Sequence, residues 1–345
     1  MSGAPHAMSP AFARRPFDLP GRGILGANVA LVLVALLPLG IDLFGRGSLT
    51  TLTPVIGVMV LVALGQAFVI GTGGIDLSIP STVTLVGVVI LKDAAGRNAD
   101  LWRALALCLL ACLLIGLLNG VLVELLRLNA LVVTLATGQL IAGATRMYRG
   151  QALAVTRVPD TLSVFARRSV GNVSVILLIA VAVAVAVALW LRYHTSGRRL
   201  AAASVARSAA HHSGLAATRQ RITAWVIATV LVGLGAVLLA GQITTPDLTL
   251  GSPYLLTSVV AVVLGGAAIA GGRVKVAATV LGALFIVLLN QVFRIEGYSS
   301  GVSLTVQGLV LGVGLALVAY TKNVRWLSLR SPAATADSGV ATSQE

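Results

Sequence analysis

The sequence predicts an all-α, polytopic membrane protein of about ten transmembrane helices, some short or broken, with both termini cytoplasmic. Three observations predict it. Of 345 residues, 57% are hydrophobic and 10% charged, with a mean hydropathy of +0.97, far outside a soluble composition. The apolar residues gather into runs near bilayer-crossing length. The 25 Lys and Arg fall between those runs and form no basic helix or stripe, so a net charge of +14 reads as topology signal and not as a nucleic-acid surface. A disordered or fibrous chain is excluded by the same composition.

Residues 1–23 form a cytoplasmic basic tail, with Pro5, Pro10, Pro16, Pro20, Arg14, Arg15 and Arg22 and too little apolar content to fold alone. Arg14-Arg15-Pro16-Phe17 ahead of the run from Ile24 is similar to a twin-arginine export signal, but no small-residue cleavage site follows Leu43-Phe44-Gly45-Arg46, so the run is an uncleaved first span. The membrane domain covers 24–321, with apolar runs near 24–44, 54–72, 79–91, 104–126, 130–145, 172–193, 223–243, 254–270, 276–293 and 302–321. The runs at 79–91 and 130–145 are shorter than a full span. The former follows Gly71-Thr72-Gly73-Gly74, which predicts broken or re-entrant helices buried among neighbours. Residues 322–345 read as a disordered cytoplasmic tail. With residue 1 inside and every run crossing, 15 of the 25 basic residues lie on inner segments, although the outer loop 146–171 also holds five arginines.

The longest inner connection, 194–222, holds Arg198, Arg199, Arg207, His211, His212, Arg219 and Arg221 around an alanine-rich centre. It predicts a short helix capped by Ser204, favoured by Ala206, Ala209 and Ala210 and stopped at Ser213-Gly214. Such a loop is either a solvated basic surface or a docking element for a cytoplasmic partner. Cys108 and Cys112, one turn apart in one run, read as small apolar core residues, since two parallel thiols form neither a disulfide nor a complete metal site.

Chemistry is sparse. The chain has no phosphate loop, no His-Glu-x-x-His and no acidic pair within a span, so it carries no nucleotide site of the usual P-loop kind and little support for intramembrane hydrolysis. The ionisable residues nearest membrane depth are Asp42, Asp76 and Glu124. Gly73-Gly74-Ile75-Asp76-Leu77-Ser78 lets the backbone turn, with Asp76 capping a helix that begins near Ser78, a reading preferred to cation binding. Uncharged polar residues within the runs are Gln66, Asn119, Thr134, Thr137, Gln139, Asn290, Gln291 and Gln307, and each lines a wet path or hydrogen-bonds between helices. A weak internal echo links Leu64-Gly65-Gln66-Ala67 ahead of Gly73-Gly74 with Leu264-Gly265-Gly266-Ala267 ahead of Gly271-Gly272.

Four stretches together resemble the integral-membrane permease subunits of bacterial ATP-binding-cassette importers for ribose, xylose, galactose and related sugars. Gly73-Gly74-Ile75-Asp76-Leu77-Ser78 resembles that family's Gly-Gly-Ile-Asp-Leu-Ser signature, and Leu131-Val132-Val133-Thr134-Leu135-Ala136-Thr137 resembles its Phe-Ile-Val-Thr-Leu-Gly-Thr segment. Gly197-Arg198-Arg199 through Ala209-Ala210-His211-His212-Ser213-Gly214-Leu215 resembles the loop that engages the ATPase. Val263-Leu264-Gly265-Gly266, Gly271-Gly272-Arg273 and Leu281-Gly282-Ala283-Leu284 through Asn290 resemble its late motifs. The match runs in order from about residue 55 to about 320.

The resemblance implies a transport subunit, not an enzyme, that forms a path for a monosaccharide or sugar-like solute in the bacterial inner membrane. Two copies, as homodimer or heterodimer, would flank the path. ABC ATPase subunits would dock beneath with ATP and Mg on them, and an extracytoplasmic solute-binding protein would deliver substrate. No cofactor is expected on this chain, and no nucleic acid. It assigns Asn119, Thr134, Thr137, Gln139 and Asn290 to the path, Gly73, Gly74, Asp76 and Ser78 to a structural turn, and Gly197, Arg198, Arg207, Ala209, Ala210, Ser213 and Gly214 to the coupling loop. The loop departs from the family at Ser204-Val205-Ala206-Arg207-Ser208, where Gly-Gly-Asn and acidic residues are usual, and at Val274-Lys275, which implies an ATPase with a more acidic groove. The competing reading is an ion-coupled secondary transporter of a small polar solute, for which broken helices are also expected but central charges are lacking.

Overall fold

A computed structural model describes residues 22–39, 45–150, 156–205, 216–267, 271–299, 301–309 and 312. Its helices are α1 (Arg22–Leu39), α2 (Arg46–Gly71), α3 (Ile79–Val89, continued by a π turn over Ile90–Ala94), α4 (Leu101–Gly120, continued by a π turn over Val121–Leu125), α5 (Ala130–Arg149), α6 (Asp160–Arg167), α7 (Val175–Tyr193), α8 (Thr195–Val205), α9 (Ala217–Ile243), α10 (Tyr254–Leu264), α11 (Val276–Ile295) and α12, described over 301–309.

Each expected apolar run overlaps a helix, but among the described residues six helices, α2, α4, α5, α7, α9 and α11, are long and apolar enough to cross a membrane. The expected first and last runs lie partly outside the described residues, and two of the remaining runs form short helices. With 11 residues α10 extends only about 16 Å at 1.5 Å per residue, and α3 with its π turn no more than about 24 Å, both short of a hydrocarbon core of about 30 Å. By contrast α5, expected to be short, has 20 residues, because the polar stretch Thr145-Arg146-Met147-Tyr148-Arg149 keeps winding after the apolar run ends. The expected loop 146–171 is also partly ordered. It carries α6 and enters a small antiparallel hairpin in which Ser169 pairs with Ser174 and Val170 with Val173, so the fold is not purely helical.

Local chemistry sets the boundaries. Asn129 caps α5 by accepting from the Leu131 amide at 2.9 Å, and Ser174 caps α7 by accepting from the Ile176 amide at 3.2 Å. Pro80 sits in the first turn of α3, where its missing N–H costs nothing. The helix expected from Ser204 to Ser213-Gly214 lies, beyond Val205, outside the described residues. Ahead of it runs α8, which begins at Thr195 and in which Ser204 lies near the C-terminal end, donating to the Leu200 carbonyl at 3.0 Å. The break before it comes from extended His194 (ψ 141°), whose ring meets Ser196 Oγ at 2.7 Å.

α2 and α9 form the centre of the bundle. Their most apolar windows are 89% and 61% buried by the rest of the chain, against 17% for α7, whose outer side faces lipid or a partner. α2 packs on α9, α7, α10 and α11, while α9 packs on α4 and α3 as well. Small residues permit the close central approach, as where Gly65 abuts the Ala228 carbonyl.

The chain also repeats itself. Helices of 26, 11, 20 and 20 residues in α2–α5 recur as 27, 11 and 20 residues in α9–α11, with α12 following. The sequence echo at Leu64 and Leu264 does not mark this repeat. It pairs the end of α2 with the end of α10, whereas the helix lengths pair α2 with α9 and α3 with α10.

Both short helices follow breaks, as expected for the first of them, and the breaks meet inside the bundle. The Gly251 amide donates to Thr84 Oγ1 at 3.1 Å, and Gly251 packs on the Pro80 carbonyl so closely that a Cβ would collide with it. On the other side, Gly138 lies 3.3 Å from Ser78 Cα, measured from the Cβ it lacks, and sits about 13 Å along α5 at 1.5 Å per residue. Non-helical backbone at that depth is tolerated because protein surrounds it.

Candidate functional site

The loop from Thr72 to Ser78 is built by glycine and one carboxylate. Gly73 adopts φ +83°, and a Cβ on Gly74 would stand 3.0 Å from Trp225 Cζ2 and 3.1 Å from Ala130 Cβ. Asp76, 3% exposed, accepts through Oδ1 from the Ser78 amide at 2.8 Å and from the Ser78 hydroxyl at 2.6 Å. It thus closes a turn one residue ahead of α3 and is not the helix cap itself; Ser78 holds that position.

Three expected path residues gather around this turn. Asn119 Nδ2 donates to Ser78 Oγ at 3.1 Å, extending the chain from Asp76 through Ser78 into α4. Thr134 Oγ1 donates to the Ile75 carbonyl at 3.2 Å and to Ala130 O at 2.8 Å, and Thr137 Oγ1 to Thr134 O at 3.3 Å. All three are buried; Asn119 fastens α4 and Thr134 fastens α5 to the loop, while the Thr137 bond stays within α5. Gln139 is exposed on the other side of α5, and Asn290 lies apart, in the cavity described below.

Beside the turn lies a buried ion pair absent from the expected site. Glu124, 1% exposed, sits in the π turn that ends α4, and Arg221 in the first turns of α9 donates from Nε to its Oε2 at 2.6 Å. Arg221 Nη2 also donates to the Thr72 carbonyl, and Trp225 Nε1 donates to Glu124 Oε1 at 3.5 Å. Arg221 thereby ties the ends of α2 and α4 to the start of α9. Sequence spacing carries no sign of it, since 97 residues separate the partners. The second glycine pair arrives at the same place: the Gly272 amide donates to the Gly71 carbonyl at 2.9 Å, and Gly271 has φ +94°.

The coupling segment is described only in part. Arg207, Ala209, Ala210, Ser213 and Gly214 lie outside the described residues. Of the rest, Gly197 is buried where α8 folds back on α7, and a Cβ there would collide with the Trp190 carbonyl. Arg198 and Arg199 are exposed on the opposite side of α8, whose Leu200 and Ala203 face inward. Among the described residues the acids of this end, Asp76 and Glu124, are buried, and the exposed Arg127, Arg219, Arg273 and Lys275 add to one basic surface.

Toward the other end, α2, α10, α11 and α12 enclose a cavity of about 500 Å³. Thr51, Val55 and Met59 of α2, Tyr254 and Thr257 of α10, and Ile286 and Asn290 of α11 form part of its wall. Asn290 Oδ1 accepts from Gln307 Nε2 at 2.8 Å and from Ser303 Oγ, both on α12. Tyr254 and Tyr298, which the sequence analysis did not single out, also line the cavity. Among the described residues no cluster of three His, Cys, Asp or Glu stands ready for a metal.

Comparison with known proteins then gives the wider frame. The family profile described as branched-chain amino acid transport system / permease component matches residues 48–319, from the first turn of α2 to beyond α12's described part. The ribose import permease protein of Escherichia coli (strain K12) is 28% identical over 285 residues, covering 81% of this chain and 88% of the relative. The autoinducer 2 import system permease protein of Escherichia coli (strain K12) is 29% identical over 280 residues, 79% of this chain and 84% of the relative. No solved structure gives a significant match.

Proposed function

The chain belongs to the branched-chain amino acid transport system / permease component family, and from that premise we propose that it is the transmembrane subunit of an ATP-binding-cassette importer for a monosaccharide or sugar-like solute. It has no catalytic role of its own. A separate ATPase binds ATP and Mg and drives it, an extracytoplasmic binding protein feeds it, and two permease chains assemble in the bacterial inner membrane. The observation that carries the reading is the profile match, which runs through both broken helices and the coupling segment without interruption. The relatives for ribose and autoinducer 2 support the solute class.

The basic surface around Arg198, Arg199 and Arg219 faces the cytoplasm, in keeping with the positive-inside tendency. α8 is the lever. ATP-driven closure of the ATPase presses α8 and the connection 206–215; the motion reaches α9 at Ala217 and, through the Arg221 ion pair, the ends of α2 and α4. Asn119, Thr134, Thr137, Gln139 and Asn290 remain the path candidates. For Asn119, Thr134 and Thr137 to touch solute, the turn around Asp76 must move, which is what a second packing of the bundle would supply.

Reconstitution tests this directly. Proteoliposomes holding this chain with its ATPase and binding protein should accumulate labelled sugar only with internal or external ATP on the ATPase side. Uptake driven by an ion gradient, with neither partner nor nucleotide, would replace this reading with a secondary transporter.

A further inference from the structure

The cavity between α2, α10, α11 and α12 has features that packing alone does not require. Its volume of about 500 Å³ lies within the range of about 300–1,000 Å³ occupied by small-molecule sites. Gln307 is 3% exposed, yet its Oε1 meets no partner, although the same side chain donates from Nε2 to Asn290 Oδ1 at 2.8 Å and to Ser303 Oγ at 3.0 Å. The hydrogen bonds of Asn290 to Ser303 and Gln307 both fall on its Oδ1, leaving its amide N–H groups to the cavity it lines. A donor is thus held at the cavity wall, fixed by Gln307 and without a protein partner of its own.

We infer that this cavity is a binding site, contained within a single permease chain, for a small neutral polyhydroxylated solute. The inference rests on the transport reading above and adds to it where the solute is held. A hydroxyl group both donates and accepts, so one hydroxyl accepts from the Asn290 amide and donates to a neighbouring hydroxyl of the wall, while Gln307, whose own Oε1 is shut off from the cavity, holds Asn290 in place. A charged solute finds no buried counter-charge. The wall's one ionised group, Arg294, is exposed, and no acid lines the cavity, so an ion would shed water without repayment. Apolar ring faces complete the match: Phe293 and Tyr298 stand edge to face at 5.9 Å between centroids, and Tyr254, 8% exposed, begins the short helix α10. Such faces suit the C–H side of a sugar ring. The position is also suitable, because α10 starts inside the bundle at the break that meets Pro80, and transporter sites form where helices are discontinuous.

The test uses cysteine protection on the full chain in membrane vesicles. The native Cys108 and Cys112 are buried, so Ser303→Cys supplies an addressable thiol in the cavity wall. A water-soluble methanethiosulfonate should label it. D-ribose, D-xylose or D-galactose should slow labelling roughly tenfold when the protecting sugar is at ten times its dissociation constant, while acetate and lysine at equal concentration do not. Adding Asn290→Ala should abolish protection without abolishing labelling. Protection absent for every sugar, or equal for the charged solutes, overturns the inference. Should Ser303→Cys fail to fold, Leu304→Cys, also in the wall, carries the same measurement with the same outcomes. Failure of the transport reading looks different: uptake by the unmodified chain would run without ATP while sugar protection persisted.

Discussion

Buried polar groups occur in two regions of this molecule in opposite states. Around Arg221 nearly all of them satisfy one another: Glu124 takes Arg221 and Trp225, Asp76 takes both donors of Ser78, and Ser78 takes Asn119, whose Oδ1 is left over. Around the cavity and along the adjoining stretch of α2 they do not. Gln307 Oε1 has no partner, and neither end of the Gln66 amide has one, although Gln66 is fully buried two turns beyond Met59. A closed network holds a shape, whereas open capacity at the same depth is what a passing solute or water uses. The first region is built to keep helix ends together, the second to exchange partners.

The comparison breaks first at its strongest point. Arg221→Ala leaves a carboxylate that is 1% exposed without its partner, and should cost about 3–5 kcal/mol of stability. Denaturation of the detergent-purified chain measures it. The double change Glu124→Leu with Arg221→Met should recover most of that loss, because the stranded charge goes with its partner; a double variant as unstable as the single one would mean that Arg221 acts through Thr72 alone. Asp76→Ala comes next. It deprives two Ser78 donors at once and should cost about 1–3 kcal/mol. Asp76→Asn keeps an acceptor oxygen and should restore most of it, whereas equal losses in both variants would show that charge, not hydrogen bonding, matters there.

Much of this was legible in the sequence, and the reasons are uneven. Helices announce themselves through apolar runs, and the break at Gly73-Gly74 through residues that tolerate positive φ. The role of Asp76 was nearly legible because its partner lies two residues away. α3 is short, as its run is; what failed was length elsewhere, where α5 outran its apolar run and α10 stopped before the end of its own, since hydropathy reports environment and not where backbone hydrogen bonding stops. Partners distant in sequence were beyond reach altogether. Glu124 and Arg221 were both visible as charges near run ends, but only the meeting of α4 with α9 makes them a pair. Among the polar residues of the runs, Thr134 and Asn290 looked alike; packing turned one into a fastener of the Ile75 loop and the other toward a cavity.

Gln66 sharpens the contrast from the other side. Gln66→Leu removes an amide that pays for burial without a hydrogen bond, and should raise stability by about 1–2 kcal/mol in the same denaturation experiment. Sugar uptake by the assembled importer should fall while the stability rises. A destabilised Leu variant would place Gln66 with the satisfied network after all, and a stabilised one with full uptake would remove it from the solute's route.

The smallest effect on stability belongs to the exposed face of α8. Arg198→Glu and Arg199→Glu touch neither network, and α8 is held by Gly197, Leu200 and Ala203 on its opposite side, so each change should stay within about 0.5 kcal/mol of the parent. Their effect should instead be on assembly. The basic surface beneath Arg221 has no exposed acid among the described residues, so reversing a charge at its centre sets like against like wherever an acidic groove docks. Co-purification of the ATPase should weaken, more so at low salt, where screening is least. Arg127→Glu, on the same end but off α8, separates the specific from the diffuse: equal weakening by all three changes would make the whole surface an electrostatic attractor, and weakening confined to Arg198 and Arg199 would make α8 the lever that meets the partner.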